Sequence, residues 1–475
     1  MKKWVIFVLA IIIYGVSVFG CFIQDDTKVI AGDPEMGKVS ALAATFTRQY
    51  YYVDDGNAGI YRPLTSFSLY LNALITGKGA WGFHLTNVIL YALVCVLVFE
   101  MLKKYCPEKI AFGATLVFMV LPIHTEVVNN IVGRAEILSL GFLLLAILLQ
   151  DRKKWEVSAG MFLLALLSKE TAIVGLPILI YLLIVTKEKR DVKAGVSLFY
   201  VLVAMSYFVL RIMVLGGAGM ENNATIVENP LKFVSTEVRV ENAFALVQLG
   251  VGKIIFPLNL SYDYSFNQIK LATSWLSWRV MVGIWLMTLS FGSLFTPLRK
   301  NRLWIVGQAF FWGPILITGN FLFPVGTIFG ERLWFWPSLG IILIVLSTLR
   351  FPVKKGISFV ALIIVALFMV RTILRNMDWL SQDRLFIHDA SYATNSVLVQ
   401  NNAAAMYFLR KDPVQAKEYL GKANAIYPKY PELMNNWGMY YLYLGDKKTA
   451  EEKFNECLKE YPNNALCDSN LELIK

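Results

Sequence analysis

The sequence has 475 residues, of which 56% are hydrophobic and only 17% are charged. Soluble globular domains carry about 25% charged residues, so most of this chain must lie in lipid. The net charge of +11 is also found in nucleic-acid-binding proteins, but here the basic residues form short clusters between apolar stretches. We therefore interpret the charge as a membrane-topology signal and predict no nucleic-acid partner.

Eleven apolar stretches are candidate transmembrane helices. They lie at residues 4–22, 83–102, 110–123, 137–150, 156–168, 171–186, 194–214, 276–296, 303–323, 334–350 and 356–371. Several are shorter than about 17 residues and must be tilted or packed among neighbours. The first resembles a signal peptide, but its length favours a retained helix.

The basic clusters occupy alternate loops, and this alternation predicts the orientation. The clusters are Lys2 with Lys3, Lys103 with Lys104, residues 152–154, residues 187–193, residues 299–302, and Lys354 with Lys355. Loops rich in Lys and Arg stay in the cytoplasm, so the N-terminus is predicted to be cytoplasmic. The long loop 23–82 and everything after residue 371 are then extracytoplasmic. In this scheme residues 243–256 form a re-entrant or interfacial helix.

The C-terminal part of the chain repeats itself with a period of 34 residues. Asn402, Tyr407, Asp412, Ala416 and Pro428 recur as Asn436, Tyr441, Asp446, Ala450 and Pro462. This period, with a small residue at the helix crossing and a closing proline, resembles the tetratricopeptide repeat. Two units are fewer than the usual three, so residues 380–398 or 465–474 are expected to cap the stack. We expect the membrane body to fold without the repeats after about Leu398.

The five cysteines have no paired metal-binding spacing and no neighbouring histidine cluster. Cys457 and Cys467 are close enough in sequence for a disulfide in an oxidising compartment. We predict two free thiols there, with the disulfide as the alternative.

Two acidic pairs lie in the first outer loop. Asp25 and Asp26 directly follow the first apolar stretch, where one carboxylate could act as a general base for an acceptor hydroxyl. Ordinary solvated loop acids are the alternative. Asp54 and Asp55, beside Gly56, are more typical of a turn and form a natural control.

Further ionisable residues lie at the predicted outer ends of the spans. They are His124, Glu126, Arg134 and Glu136, then Lys169 with Glu170, and Glu331 with Arg332. Ionisable groups at membrane depth are costly and usually functional. Snorkelling of Lys169 and Arg332, or mutual neutralisation within each adjacent pair, is the alternative.

Several ordered motifs resemble the transmembrane and tetratricopeptide-repeat-containing family of protein O-mannosyltransferases. The acidic pair is followed by YRPLT at residues 61–65, FHLTN at 83–87, PIHTEVVNNIVGRAE at 122–136 and SKE at 168–170. DYS at 263–265, FPVGTIFGERLWFWPSLG at 323–340 and RTILRNMDWLSQDRLF at 371–386 complete the series. The resemblance covers almost the whole chain, although the animal members carry many more repeats.

The resemblance implies an all-α fold: a polytopic helical bundle of the glycosyltransferase C superfamily followed by a short tetratricopeptide-repeat solenoid. The implied domains are residues 1–379, with the outer loop 23–82, and the extracytoplasmic residues 380–475. By position, Asp25 and Asp26 match the catalytic acids. The implied substrate-binding residues are Arg62, His84, His124, Glu126, Arg134, Lys169, Glu170, Glu331 and Arg332.

The function implied is inverting transfer of a sugar, mannose in the family, from a polyprenyl-phosphate carrier to a hydroxyl of a protein or other acceptor on the extracytoplasmic face. Arg62, Lys169 and Arg332 are the candidate cations for the departing phosphate. No cofactor or metal site is assigned, and a single divalent ion between the acidic pair and the phosphate stays an alternative. The rival functions are a non-enzymatic scaffold whose repeats bind partner proteins, and a transporter of lipid-linked sugars.

Overall fold

The computed structural model describes residues 1–50, 59–217, 224–349 and 355–474. Across these ranges the regular structure is helical and contains no β-strand, which confirms the predicted all-α class. The helices of the first part are α1 (Lys2–Tyr14), α2 (Ala41–Ala44), α3 (Pro63–Thr76), α4 (Ala80–Leu102), α5 (Glu108–Met119), α6 (Thr125–Asn129), α7 (Arg134–Gln150), α8 (Trp155–Ser168), α9 (Gly175–Ile184), α10 (Arg190–Leu215), α11 (Thr236–Ile255), α12 (Trp278–Gly292), α13 (Arg302–Thr318), α14 (Phe335–Thr348) and α15 (Lys355–Asp378).

Every predicted apolar stretch coincides with a helix, but not every helix is long enough to cross a bilayer. In the described residues, seven segments are long and apolar enough, or eight if α5 and the bent segment that ends at Asn129 form one span. The helices α8 and α9 are shorter, and at 1.5 Å per residue each falls short of the roughly 30 Å hydrocarbon core. The chain is a multi-pass membrane protein, whereas eleven crossings stay a prediction.

Close helix contacts hold the body together. The pairs α1 with α4, α7 with α8, and α13 with α14 pack side by side around a core of aliphatic and aromatic side chains. Glycine permits the α13–α14 contact, because a Cβ at Gly340 would lie 2.5 Å from the backbone nitrogen of Phe311. Small residues at such crossings let the backbones approach, as is usual in membrane helix packing.

The helix α11 is the one that the sequence predicts not to cross the membrane. It begins at Ser235, whose hydroxyl caps the helix by accepting a hydrogen bond from the Val238 N–H. Among the described residues, α11 is not one of the helices that are both long and apolar enough to cross a bilayer. Its C-terminal end leaves the side chains of Ile255 and Phe256 exposed. A re-entrant or interfacial placement of α11 stays a prediction.

The 34-residue period corresponds to two helical hairpins. The C-terminal helices are α16 (Gln382–Ala390), α17 (Val397–Leu409), α18 (Pro413–Ile426), α19 (Pro431–Tyr443), α20 (Lys447–Glu460) and α21 (Ala465–Glu472). Asp412 and Asp446 cap the second helix of each hairpin, and Ala416 and Ala450 are fully buried where the helices cross. The helix α16 packs on α17 and α21 packs on α20, so both predicted caps are present.

The prediction of free thiols in the last repeat is wrong. Cys457 of α20 and Cys467 of α21 form a disulfide, and their Cα atoms lie 6.4 Å apart. The two helices pack against each other and bury both residues, which brings the sulfur atoms together. The spacing of the two cysteines in the sequence does not show that their helices pack together.

The repeats are packed onto the membrane body. The side chains of Ile23 and Tyr262 share one hydrophobic cluster with Val399, Ala403 and Met406 of α17. Backbone hydrogen bonds also join the two parts: the Cys21 N–H donates to the Leu380 carbonyl (3.2 Å), and the Val397 N–H donates to the Phe266 carbonyl (2.8 Å). The start of the repeat domain therefore supports the segment that leads into the acidic pair.

Candidate functional site

The Asp26 carboxylate is fully buried and is held by backbone groups. Its Oδ1 atom accepts a hydrogen bond from the Val132 N–H (2.9 Å). Its Oδ2 atom accepts one from the Ile131 N–H (3.1 Å) and a longer one from the Ile23 N–H (3.5 Å). Burial raises the pKa of Asp26 to about 7, even though the three N–H donors oppose this shift. Asp26 thus fastens the first outer loop to the turn before α7.

The Asp25 carboxylate differs from that of Asp26 in its exposure and in its hydrogen bonding. Asp25 is partly exposed, and in the described residues its carboxylate forms no hydrogen bond or ion pair. The preceding residue, Gln24, has a φ of 52°, a left-handed conformation that non-glycine residues rarely adopt. Such strain is typical of functional turns. The control pair Asp54 and Asp55 lies outside the described residues.

His84 and Arg134 support this acidic loop from within the body. The His84 Nε2 lies 3.2 Å from the Cys21 carbonyl oxygen, and a Cβ at Gly20 would lie 2.9 Å from the same nitrogen. The buried Arg134 guanidinium donates to the side-chain oxygens of Asn87 and Asn72, each at 2.7 Å, and to two backbone carbonyls. Arg134 thus holds α3 and α4 together, and His84 joins α4 to the segment before the acidic pair. Contact with substrate stays a prediction for each.

Two ion pairs join α3 and α7 to the turn between α8 and α9. The Arg62 guanidinium donates to both carboxylate oxygens of Glu170, at 3.0 and 2.7 Å. The Lys169 ammonium is buried against the Glu136 carboxylate. Each predicted cation here already has a carboxylate partner, an arrangement that buried charges require.

His124 lies apart from these groups in an aromatic part of the core. Its ring nitrogens lie 2.9 Å from the Tyr91 hydroxyl and 2.8 Å from the Ser338 hydroxyl. The rings of Phe118 and Phe335 pack against the imidazole at centroid distances of 4.6 and 4.8 Å. The structure does not bring His124 to the acidic pair, and its contacts are those of a satisfied core histidine.

Glu126 and Glu331 organise the segment that carries Arg332. The Glu126 carboxylate accepts from the Arg332 backbone N–H (2.8 Å) and guanidinium (2.5 Å). The Glu331 carboxylate accepts from the Ser261 N–H (2.7 Å) and the Tyr264 hydroxyl (2.6 Å). The Arg332 side chain is 31% exposed, whereas that of Lys169 is 5% exposed. Of these two cations, Arg332 is the accessible one.

One segment links the two halves of the site. Residues 122–133 carry the Ile131 and Val132 N–H groups that hold Asp26, and also Glu126, which holds Arg332. The acidic loop and the Arg332 segment are therefore fixed to the same short stretch of backbone. In the described residues there is no group of three or more His, Cys, Asp or Glu side chains arranged to hold a metal ion.

Sequence reasoning missed four ionisable residues near this site. Arg375 is fully buried and donates to both Asp389 oxygens at 2.6 and 2.8 Å, and Asp389 also accepts from the Tyr262 N–H. Burial alone would raise the pKa of Asp389, but the pair with Arg375 outweighs it and lowers this pKa. The other two are Lys253 and Arg371. The arginines and Asp389 lie in or beside a recognised motif, but no spacing rule singled them out.

Both parts of the chain match known family models. Residues 61–213 match the model described as dolichyl-phosphate-mannose-protein mannosyltransferase, and residues 431–464 match the tetratricopeptide repeat. A multi-pass helical body with a polar site and C-terminal repeats defines the class, an integral membrane protein with a tetratricopeptide-repeat domain.

Within that class, the chain is similar over most of its length to proteins named protein O-mannosyl-transferases, which confirms the resemblance seen in the motifs. It is 24% identical to protein O-mannosyl-transferase TMTC3 of Mus musculus, over 93% of this chain and 53% of that protein. It is 28% identical to protein O-mannosyl-transferase F38B6.6 of Caenorhabditis elegans, over 83% of this chain and 58% of that protein. It is 27% identical to protein O-mannosyl-transferase TMTC4 of Homo sapiens, over 81% of this chain and 61% of that protein. The chain thus spans between half and two thirds of the length of these relatives.

Proposed function

We propose that the protein is an integral membrane glycosyltransferase that moves mannose from a polyprenyl-phosphate carrier to a hydroxyl of a protein on the extracytoplasmic face. The observation that carries this proposal is the division within the acidic pair. Asp26 is buried and satisfied by backbone donors, whereas Asp25 is partly exposed and without a partner in the described residues. The relatives, which are named as protein O-mannosyl-transferases, support the reaction class.

In the proposed reaction Asp25 is the general base. Its carboxylate accepts the proton of the acceptor hydroxyl while the hydroxyl oxygen bonds to the anomeric carbon of the sugar. The bond from that carbon to the carrier phosphate breaks, the phosphate leaves with the electron pair, and the configuration inverts. Asp26 is a positioning residue that holds the loop of Asp25 against the turn before α7.

Arg332 is the best-placed of the three predicted cations for the leaving phosphate. The phosphate gains negative charge in the transition state and needs a fixed donor. Glu126 fixes both the backbone and the side chain of Arg332, while 31% of that side chain stays accessible. We assign no metal, and a divalent ion between Asp25 and the phosphate stays the alternative.

Two independent observations support the extracytoplasmic face. The basic clusters occupy alternate loops and assign the first outer loop and the repeats to the same side. The disulfide between Cys457 and Cys467 fits an oxidising compartment, because cytosolic thiols are kept reduced. Both arguments support our proposal that the acidic pair lies outside the cytoplasm.

The rival function is a scaffold in which the repeats bind a partner protein, and the match to the tetratricopeptide repeat favours it. The two functions predict different products in one assay. Purified protein that is given polyprenyl-phosphate mannose and serine- or threonine-containing peptides should release free polyprenyl phosphate and mannosylated peptide in equal amounts. A scaffold releases neither, and this result would overturn the proposal.

A further inference from the structure

The three cations predicted from the sequence all have carboxylate partners. Arg62 pairs with Glu170, Lys169 with Glu136, and Arg332 with Glu126. A carboxylate cancels much of the field that a cation exerts on a bound anion. If the carrier phosphate binds this protein, as the proposed function requires, further cations without such partners should contribute to its binding.

Lys253 and Arg371 are cations of this kind. The Lys253 ammonium donates to the Asn259 carbonyl and lies 5.2 Å from the centroid of the Tyr264 ring. The Arg371 guanidinium donates to the carbonyls of Pro257 (3.2 Å) and Leu258 (3.0 Å). In the described residues neither forms an ion pair with a carboxylate. Lys253, near the C-terminal end of α11, and Arg371, in the second half of α15, thus bring two positive charges to one turn, residues 257–259.

This turn is connected to the proposed active site. The Tyr264 hydroxyl beneath Lys253 donates to Glu331, the residue before Arg332. An apolar cavity between α11 and α13 is lined by Leu333 and Trp334, the residues after Arg332. Lys253 therefore lies next to the segment that carries the accessible cation of the site.

The surface beside the two cations is apolar. The side chains of Ile255, Phe256 and Leu258 are 53%, 72% and 69% exposed. A soluble phosphate would gain nothing from such a surface, whereas a lipid carries an anionic head and an apolar chain that match both features. The chemistry thus favours a lipid with a phosphate head group.

We propose that Lys253, Arg371 and the apolar segment 255–258 form a binding site for the polyprenyl-phosphate carrier. The two cations contact the phosphate, and Phe256 and Leu258 contact the first isoprene units. The carrier reaches Arg332 from this site, and it returns to it as free polyprenyl phosphate after transfer. The proposal rests on the proposed function for the identity of the lipid.

The test is binding of polyprenyl phosphate, without sugar, to the full-length protein in phosphatidylcholine nanodiscs. Lys253→Gln and Arg371→Gln should each weaken binding about 10- to 100-fold, because each removes a charge-assisted contact to phosphate. Arg371→Lys keeps the charge and should retain most of the affinity even if Arg371→Gln folds poorly. Arg279→Gln is the matched control, since Arg279 also donates to a backbone carbonyl, that of Lys270.

Binding that is unchanged in both glutamine variants, or absent in the wild type, would overturn the site. Parallel measurements in phosphatidylglycerol nanodiscs separate the two lipid sources. If the variants lose phosphatidylglycerol contacts but bind polyprenyl phosphate normally, the surface is a general lipid contact and the proposal is wrong. A wild type that binds polyprenyl phosphate but transfers no sugar would refute the proposed function and leave the lipid site standing.

Discussion

The repeats and the polar site are built from contacts of very different sequence separation. In the repeats, the Asn436 amide donates to Asn401 and the Asn470 amide donates to Asn435, each across 35 residues of chain. The same hydrogen bond thus recurs one repeat later. Repeat units of this kind obtain their stability mainly from nearest neighbours.

The polar site depends on contacts between distant parts of the chain. Asp26 accepts from Val132 across 106 residues, Arg62 donates to Glu170 across 108, and Arg332 donates to Glu126 across 206. Changes in the repeats should therefore have mainly local effects, whereas changes at the site or at the junction between the two regions should affect the whole body.

The junction should give the largest effect. Deletion of residues 399–475 removes Val399, Ala403 and Met406 from the cluster that contains Ile23, so we expect almost no folded protein. This reverses the expectation from the sequence that the body folds without the repeats. Deletion of residues 427–475 keeps α17 and should leave the body folded. Yields of monodisperse protein in detergent would measure both, and equal yields would show that the junction is dispensable.

The buried ion pair at the junction should give the next largest effect. Arg375→Met leaves Asp389 buried without its partner and should lower the free energy of unfolding by about 3–5 kcal/mol. Arg384→Met is the control. The Arg384 side chain is 48% exposed and forms a long ion pair with Asp378, at 3.8 Å. Its loss should therefore lower the free energy of unfolding by less than about 1 kcal/mol. Thermal or denaturant unfolding in detergent measures both. Similar losses for the two variants would contradict the assignment.

Asp26 should make stability depend on pH. Its folded-state pKa of about 7 lies above the ordinary value of 3.8, so between these values the unfolded chain binds fewer protons than the folded one. The free energy of unfolding should therefore fall as the pH rises from about 4 to about 7, by at most about 4 kcal/mol, and then level off. In Asp26→Asn the slope should become shallower by the amount that Asp26 contributes. An equal slope in the variant would mean that other groups cause it.

The disulfide should give the smallest effect on the body. Replacement of both Cys457 and Cys467 by serine should destabilise the last repeat by about 2–3 kcal/mol, because the bond closes a short loop. Sugar transfer should stay within about twofold of the wild type, as in the control Cys21→Ser. Alkylation of the denatured wild type without reductant should label three cysteines. Labelling of all five would show that the bond is absent.

The sequence predicted the local features well. A fixed period, capping aspartates and apolar runs depend on neighbouring residues, so the helices at the apolar stretches and the two hairpins follow from them. The pairing of Cys457 with Cys467 was missed because it requires the packing of α20 on α21. The structure places His124 in an aromatic part of the core, away from the acidic pair, and a role in the site stays a prediction for the other residues.

The different roles of Asp25 and Asp26 could not be predicted from the sequence. Adjacent aspartates look equivalent in sequence, and only the N–H groups of residues more than a hundred positions away distinguish Asp26 from Asp25. Likewise, Lys253 and Arg371 lie 118 positions apart and meet only because the turn after α11 packs against the second half of α15. Such contacts depend on the tertiary fold.

The most direct test of the central claim is the rate at which Asp25→Asn releases polyprenyl phosphate from polyprenyl-phosphate mannose in the presence of an acceptor peptide. The asparagine keeps the size of the side chain but cannot accept the proton, so the rate should fall at least about 100-fold while thermal stability stays at the wild-type value. Asp55→Asn, from the control pair, should stay within a few fold. A near-normal rate for Asp25→Asn would contradict the assignment of Asp25 as the general base.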